Sequence, residues 1–172
     1  MGVFSGKINA EFNPPRMWKL SEPLGYTVYV EPQQVSLLRN LDIDISNQDP
    51  PLQKNYYKIT VPKGFATDLA STPRIAWSLV APWDIARAAI IHDYLYRAIR
   101  DFRRQPRGLT GKSRKRDKKY IRQVKKLSDI IFLAGMRDAA PSVAKYKIYN
   151  AYWAVRLFGR WSILPSKIEL GE

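Results

Sequence analysis

The chain has 172 residues, 45% apolar and 26% charged, which fits one ordinary domain and excludes a disordered chain or a fibrous repeat. It has no cysteine and a single histidine, His92, so disulfides, thiolate catalysis and metal centres built on cysteines or several histidines are excluded. Twenty-nine basic residues face 15 acidic ones, a net charge of +14 that points to a polyanionic partner or an acidic protein surface.

The first sixty residues read as strands and turns. Ile8, Ala10 and Phe12 alternate until Pro14-Pro15 stops the run. Gly25 opens a second run, Tyr26 to Val30, closed by Pro32. Leu41 to Ile45 alternates apolar and acidic residues and is the third candidate strand; Ser46 to Gln53 is a loop by its prolines, Asn and Asp. Tyr56 to Val61 is the fourth and ends at Pro62. Strands this close in sequence pair antiparallel.

Residues 63–82 then form a loop rich in Gly, Asp and Pro, after which the periodicity becomes helical. Residues 83–102 form a helix with Asp84 as N-cap and Ile85, Ala88, Ala89, His92, Leu95, Tyr96, Ile99 and Phe102 on one stripe. Arg103 to Lys119, with Pro106, Gly108 and Gly111, is expected as a long basic hairpin arm. A second helix follows over Lys118–Asp138, with Ile121, Val124, Leu127, Ile131 and Ala134 inward. The third runs from Ser142 to Phe158, its stripe being Tyr146, Tyr149, Trp153 and Leu157, with Gly159 as stop and residues 161–172 as tail. The expected architecture is one α+β domain: a small antiparallel sheet followed by three packed helices. No apolar run approaches the about 20 residues of a transmembrane helix, and Met1–Ala10 lacks the basic and apolar leader of a secretory signal.

The charge is concentrated. From Arg97 to Lys126 there are 14 Lys or Arg against Asp101 and Asp117, a net +12. Arg103, Arg104, Arg107, Lys112, Arg114, Lys115, Arg116, Lys118 and Lys119 are therefore the candidate anion- or partner-binding residues. The stretch Arg103–Lys119 has no interleaved aromatics, so on nucleic acid it would grip phosphates rather than read bases. The plainer alternative is a solvated loop.

Two segments carry the candidate chemistry. In Val61–Arg74, Gly64 permits a turn, while Thr67, Asp68, Ser71, Thr72 and Arg74 make a polar loop. In the first long helix, His92-Asp93-Tyr94-Leu95-Tyr96 places His92 on the inward stripe. Asp93 lies about 100° further round the helix and cannot orient the ring. Asp129 of the next helix is the candidate orienting carboxylate; its alternative is a pair with Lys125 at i−4. His92 could equally be a hydrogen-bonded core residue. Asp93 and Asp68 could together offer oxygens to a hard cation, or Asp68 could cap the start of a helix.

These segments resemble a bacteriophage family catalogued as domain of unknown function 1353. Its V-P-x-G-F-x-T-D-x-A-S-x-P-R block matches Val61–Arg74, and its H-D-x-L-Y helix matches His92–Tyr96. A later helix with an acid, an aromatic and a methionine matches Asp129, Phe132 and Met136. The resemblance spans Tyr57 to about Gly159. It implies a role in virion or host-envelope steps and leaves the activity open. A local likeness to secreted phospholipases of the A-two type is mechanistic. There a histidine activates water, the next aspartate binds calcium, and a distant aspartate orients the histidine. That likeness implies His92 as general base, Asp93 as calcium ligand, Asp129 as orienter and Tyr96 hydrogen-bonded to Asp129. The chain departs from it in having Leu95 where a flanking cysteine stands, and a single glycine, Gly64, in the nearest counterpart of the calcium loop.

Three functions compete on this reading. The first is a virion-associated structural or accessory protein of the tail, head–tail connector or portal region, made in the host cytoplasm, binding neighbouring phage subunits or DNA through the basic arm. The second is a calcium-dependent phospholipase-like hydrolase acting in entry or lysis, with the arm on anionic lipid. The third is a non-specific nucleic-acid-binding accessory factor.

Overall fold

The computed structural model describes the chain apart from residues 6, 14–16, 48–53, 68–84, 105–110, 140–141 and 163–172. Among the described residues seven strands precede most of the helical mass: β1 (Val3–Ser5), β2 (Ala10–Asn13), β3 (Met17–Leu20), β4 (Leu24–Tyr29), β5 (Ile45–Asn47), β6 (Tyr56–Val61) and β7 (Ala66–Thr67). The helices are α1 (Pro32–Arg39), α2 (Ala86–Arg104), α3 (Gly111–Arg137) and α4 (Lys145–Ser162). The α+β architecture, strands first and then three long helices, is as expected.

The strands form two antiparallel sheets, β1-β4-β6-β5 and β2-β3-β7. In the larger, β4 pairs along its whole length with β6, from Leu24↔Val61 to Tyr29↔Tyr56. Its residues Leu24, Gly25, Tyr26, Thr27 and Val28 are all buried, as befits a strand flanked on both edges by partners. Thr67 of β7 pairs with Trp18 of β3, which anchors the middle of the block that begins at Val61. Gly64 turns the chain between β6 and β7 at φ +82°, a conformation that favours glycine, and its N–H donates to Leu20.

Several local expectations change. Leu41, Ile43 and Ile45 are buried in alternation, but the ladder begins only at Ile45, because Asp42 adopts φ +56° and the Ile43 N–H donates back to Leu38. The preceding helix α1 is additional to the sequence expectation; Pro32 stands in its first turn, and the Glu31 N–H donates to Gln34. Helix α3 begins at Gly111 rather than near Lys118, so most of the expected basic arm is helix. Lys and Arg are good helix formers and need no apolar stripe to extend one into solvent. Helix α4 runs through Gly159 to Ser162 rather than stopping there. Asp84 lies outside the described residues.

Contacts along α2 and α3 run in opposite order, Phe102 against Tyr120 and His92 against Asp129, so the two helices are antiparallel. Helix α4 returns along α3, with Tyr149 against Arg137 and Arg156 against Asp129. Ile90, Ile91, Leu95 and Ile99 of α2 and Ile131, Phe132 and Met136 of α3 join Leu20, Leu24, Tyr26 and Ile59 in one core. The stripes expected on α2 and α3 face inward. The stripe expected on α4 does not: Ile148, Ala151, Ala154 and Val155 are buried, while Tyr146, Tyr149, Trp153 and Leu157 are exposed. No helix among the described residues is long and apolar enough to cross a membrane.

Candidate functional site

The site forms where α2, α3 and α4 meet, around the fully buried carboxylate of Asp129. One oxygen, Oδ1, accepts from the Tyr96 hydroxyl at 2.6 Å and faces His92 Nε2 at 3.2 Å. A carboxylate can only accept, so Nε2 carries the proton and Nδ1 is the ring nitrogen that Asp129 leaves untouched. The other oxygen, Oδ2, accepts from Lys125 Nζ at 2.9 Å and from Arg156 at 2.8 Å. The two alternatives for Asp129 thus coexist, the ring on one oxygen and Lys125 on the other.

These positions follow from helix geometry. His92 and Tyr96 are four apart and share the inner face of α2; Lys125 and Asp129 are four apart on α3. Gly159 lets α4 close on the cluster. A Cβ there would stand 2.6 Å from the Tyr96 hydroxyl, a contact that no side chain tolerates. The His92 ring lies between aromatic faces, 4.0 Å from the Tyr96 centroid and 4.7 Å from that of Phe132. Its side chain nevertheless keeps 11% of its surface accessible, so the ring is braced without being sealed from water.

The electrostatics favour one ionic state. Burial by itself would raise the Asp129 pKa, but the hydrogen bond and attraction of His92, and the hydrogen bonds of Tyr96 and Arg156, hold the carboxyl well below the usual range. Tyr96 is pushed far upward by burial and by the adjacent Asp129 charge, so it remains a donor. The hydrogen bond to Asp129 raises Arg156 further. A buried anion held by four donors, those of Lys125 and Arg156 cationic, is fully satisfied, and no buried side-chain nitrogen or oxygen among the described residues lacks a partner.

Asp93 faces a different way, as its place on the helix requires. Its Oδ2 accepts from the Thr67 hydroxyl at 2.7 Å, joining α2 to β7. Asp68, Ser71, Thr72 and Arg74 lie outside the described residues. Among the described residues no three acidic or histidine side chains converge as a metal site would need, and Asp93 is the one proposed calcium ligand in view. That set by itself does not fit calcium, which takes 6–8 oxygens. A cavity of about 230 Å³, lined by Asp42, Phe65, Tyr94 and Arg97 among others, opens elsewhere on α2 and does not include His92.

The basic residues are more dispersed than a single arm. Arg103 and Arg104 end α2, the latter paired with Asp101 at 3.1 Å. Arg107 lies outside the described residues, and Lys112, Arg114 and Lys115 occupy the first turns of α3. Arg116, Lys118 and Lys119 are exposed on α3. Arg156 is the site residue that the sequence reading missed. Its signal was a lone cation between the inward-facing positions Val155 and Gly159.

The family described as "Protein of unknown function (DUF1353)" matches residues 47–155, more than half of the chain. The chain belongs to this family. The DUF1353 match contains the whole cluster of His92, Tyr96, Lys125 and Asp129, with Arg156 one residue past its end. No curated protein and no solved structure matches the chain.

Proposed function

We propose that this DUF1353 protein is a hydrolase of carboxylic esters, phospholipids foremost, that works through His92 in the envelope steps of a bacteriophage. The reading is carried by one observation: the His92 ring is held through Nε2 by a buried carboxylate that also accepts the Tyr96 hydroxyl. That is the arrangement in which the opposite ring nitrogen is a directed base. Nδ1 takes a proton from water as the water oxygen forms a bond to the ester carbonyl carbon. The carbonyl oxygen becomes the oxyanion of a tetrahedral intermediate. Its collapse breaks the bond to the alkoxy oxygen, which receives the proton from Nδ1; the products are a carboxylic acid and an alcohol. Asp129 stabilises the transient imidazolium, while Lys125 and Arg156 keep it ionised.

The test is turnover of phosphatidylglycerol vesicles and of a soluble ester, each with calcium and with chelator. His92→Asn is expected to lower the rate at least about a hundredfold with the fold intact by circular dichroism. Absence of turnover in every condition, or full activity in His92→Asn, overturns the reading.

The basic half of α3 supports a second reading, a virion-associated accessory role. Arg116, Lys118, Lys119 and Arg122 are exposed on one helix, a surface suited to DNA phosphates or to acidic faces of neighbouring tail, connector or portal subunits. DNA affinity that falls steeply with salt supports the nucleic-acid form; absence of the protein from purified particles overturns the virion form.

A further inference from the structure

The outer face of α4 is apolar where a surface helix is ordinarily polar. Tyr146, Tyr149, Trp153 and Leu157 are 64%, 43%, 57% and 61% exposed. Their spacing of three and four sets them in one row about 16 Å long. Tyr149 accepts a hydrogen bond from Arg137, whose guanidinium also lies 5.4 Å from its ring centroid. The helix holds four Lys or Arg and not one acidic residue.

We infer that this face seats the protein on an anionic lipid surface. Charge complementarity selects the occupant: a +14 chain that exposes Lys145 at the start of α4 and Arg137 beside Tyr149 is drawn to a negatively charged plane. The chemistry of the row agrees. Tyr and Trp have an apolar body and a polar tip and settle at headgroup depth, with Leu157 directed into the acyl boundary and Lys145 beside the phosphates. A second copy of the chain is a poor occupant, since it would bring another Lys145 and Arg137 to a face whose helix holds no acid to pair with them. A specific protein interface uses about 20 residues a side; a single row of four large apolar side chains is closer to what an interfacial helix needs.

The docking stands on α4 alone, but its meaning for substrate rests on the hydrolase reading. Helix α4 is also a wall of the site, through Arg156 on Asp129 and Gly159 on Tyr96. A protein seated on this face holds His92 near aggregated phospholipid rather than near a dispersed ester.

Cosedimentation with vesicles of ether-linked lipids, which offer no ester to cleave, separates docking from catalysis. Binding is expected to vesicles containing anionic phosphatidylglycerol analogue and to fall strongly with phosphatidylcholine analogue alone. Trp153→Ser with Leu157→Ser should weaken it at least about tenfold, about 1.4 kcal/mol, since both changes replace apolar side chains of the row with polar ones. His92→Asn should bind as the parent does. Binding without hydrolysis of ordinary ester lipids keeps the inference and sinks the hydrolase reading. Three outcomes overturn the inference: no vesicle binding; undiminished binding by the folded double variant; or retention only on an acidic amphipathic peptide, which makes the face a protein-docking site.

Discussion

Helices α2 and α4 each carry large apolar side chains at helical spacing, and they use them in opposite ways. On α2 the row that includes Leu95, Tyr96 and Ile99 faces inward, because α2 lies between the larger sheet and α3 and only bulky residues fill that space. Helix α4 comes close to the Asp129 cluster, and where it does the inner residues are small, Ala151, Ala154 and Gly159, beside the larger Ile148 and Val155. Its bulky row is left on the outside. Periodicity therefore shows that a helix has two faces, while the distance to its neighbour decides which face is the inner one.

The contrast can be broken most forcefully at the carboxylate on which the three helices converge. Asp129→Asn is expected to lower stability by about 3–5 kcal/mol at neutral pH, because it leaves buried cations and donors without their anion. The Asp129 pKa is depressed in the folded state, so its contribution is complete above the ordinary carboxylate value of about 4 and is lost as pH falls through the lowered one. Urea unfolding of both proteins should therefore show their difference shrinking in acid. A constant difference, or one under about 1 kcal/mol at neutral pH, would mean that the cluster is held by packing alone.

A smaller effect tests the close approach itself. Gly159→Ala should cost about 1–3 kcal/mol by overpacking against Tyr96, whereas the same change in an open helix stabilises by about 1 kcal/mol. The sign of the change in thermal midpoint distinguishes the two. Least of all should come from the outer row: Trp153→Ser is expected to shift stability by no more than about 0.5 kcal/mol, measured in the same unfolding series. A loss above about 2 kcal/mol would show that Trp153 is packed after all.

Much of the site was legible because its residues obey helix spacing. His92 on the inner face, Asp129 as the carboxylate that meets it and Tyr96 one turn on all follow from a period of 3.6 together with the family resemblance. Arg156 did not, since which element of the far end of the chain returns to the cluster is a matter of tertiary packing. The strand Tyr56–Val61 was read to the residue because Pro62 ends it, yet Val3–Ser5 and Ala66–Thr67 are too short to show a pattern. The alternation at Leu41–Ile45 reported correctly which side chains go inside but not the backbone that puts them there, because Asp42 leaves the extended conformation. The extent of α3 escaped for the converse reason: its first turns hold few apolar residues to repeat.

Asp138 gives the molecule a clasp. Just past the end of α3, it accepts the Gly2 N–H at 2.8 Å and the Tyr26 hydroxyl at 2.7 Å, partners 136 and 112 residues away along the chain. Ordering so long an intervening loop costs entropy before the contact returns anything. The clasp is therefore expected to form late in folding, so that Asp138→Asn should speed unfolding more than it slows refolding when both rates are measured.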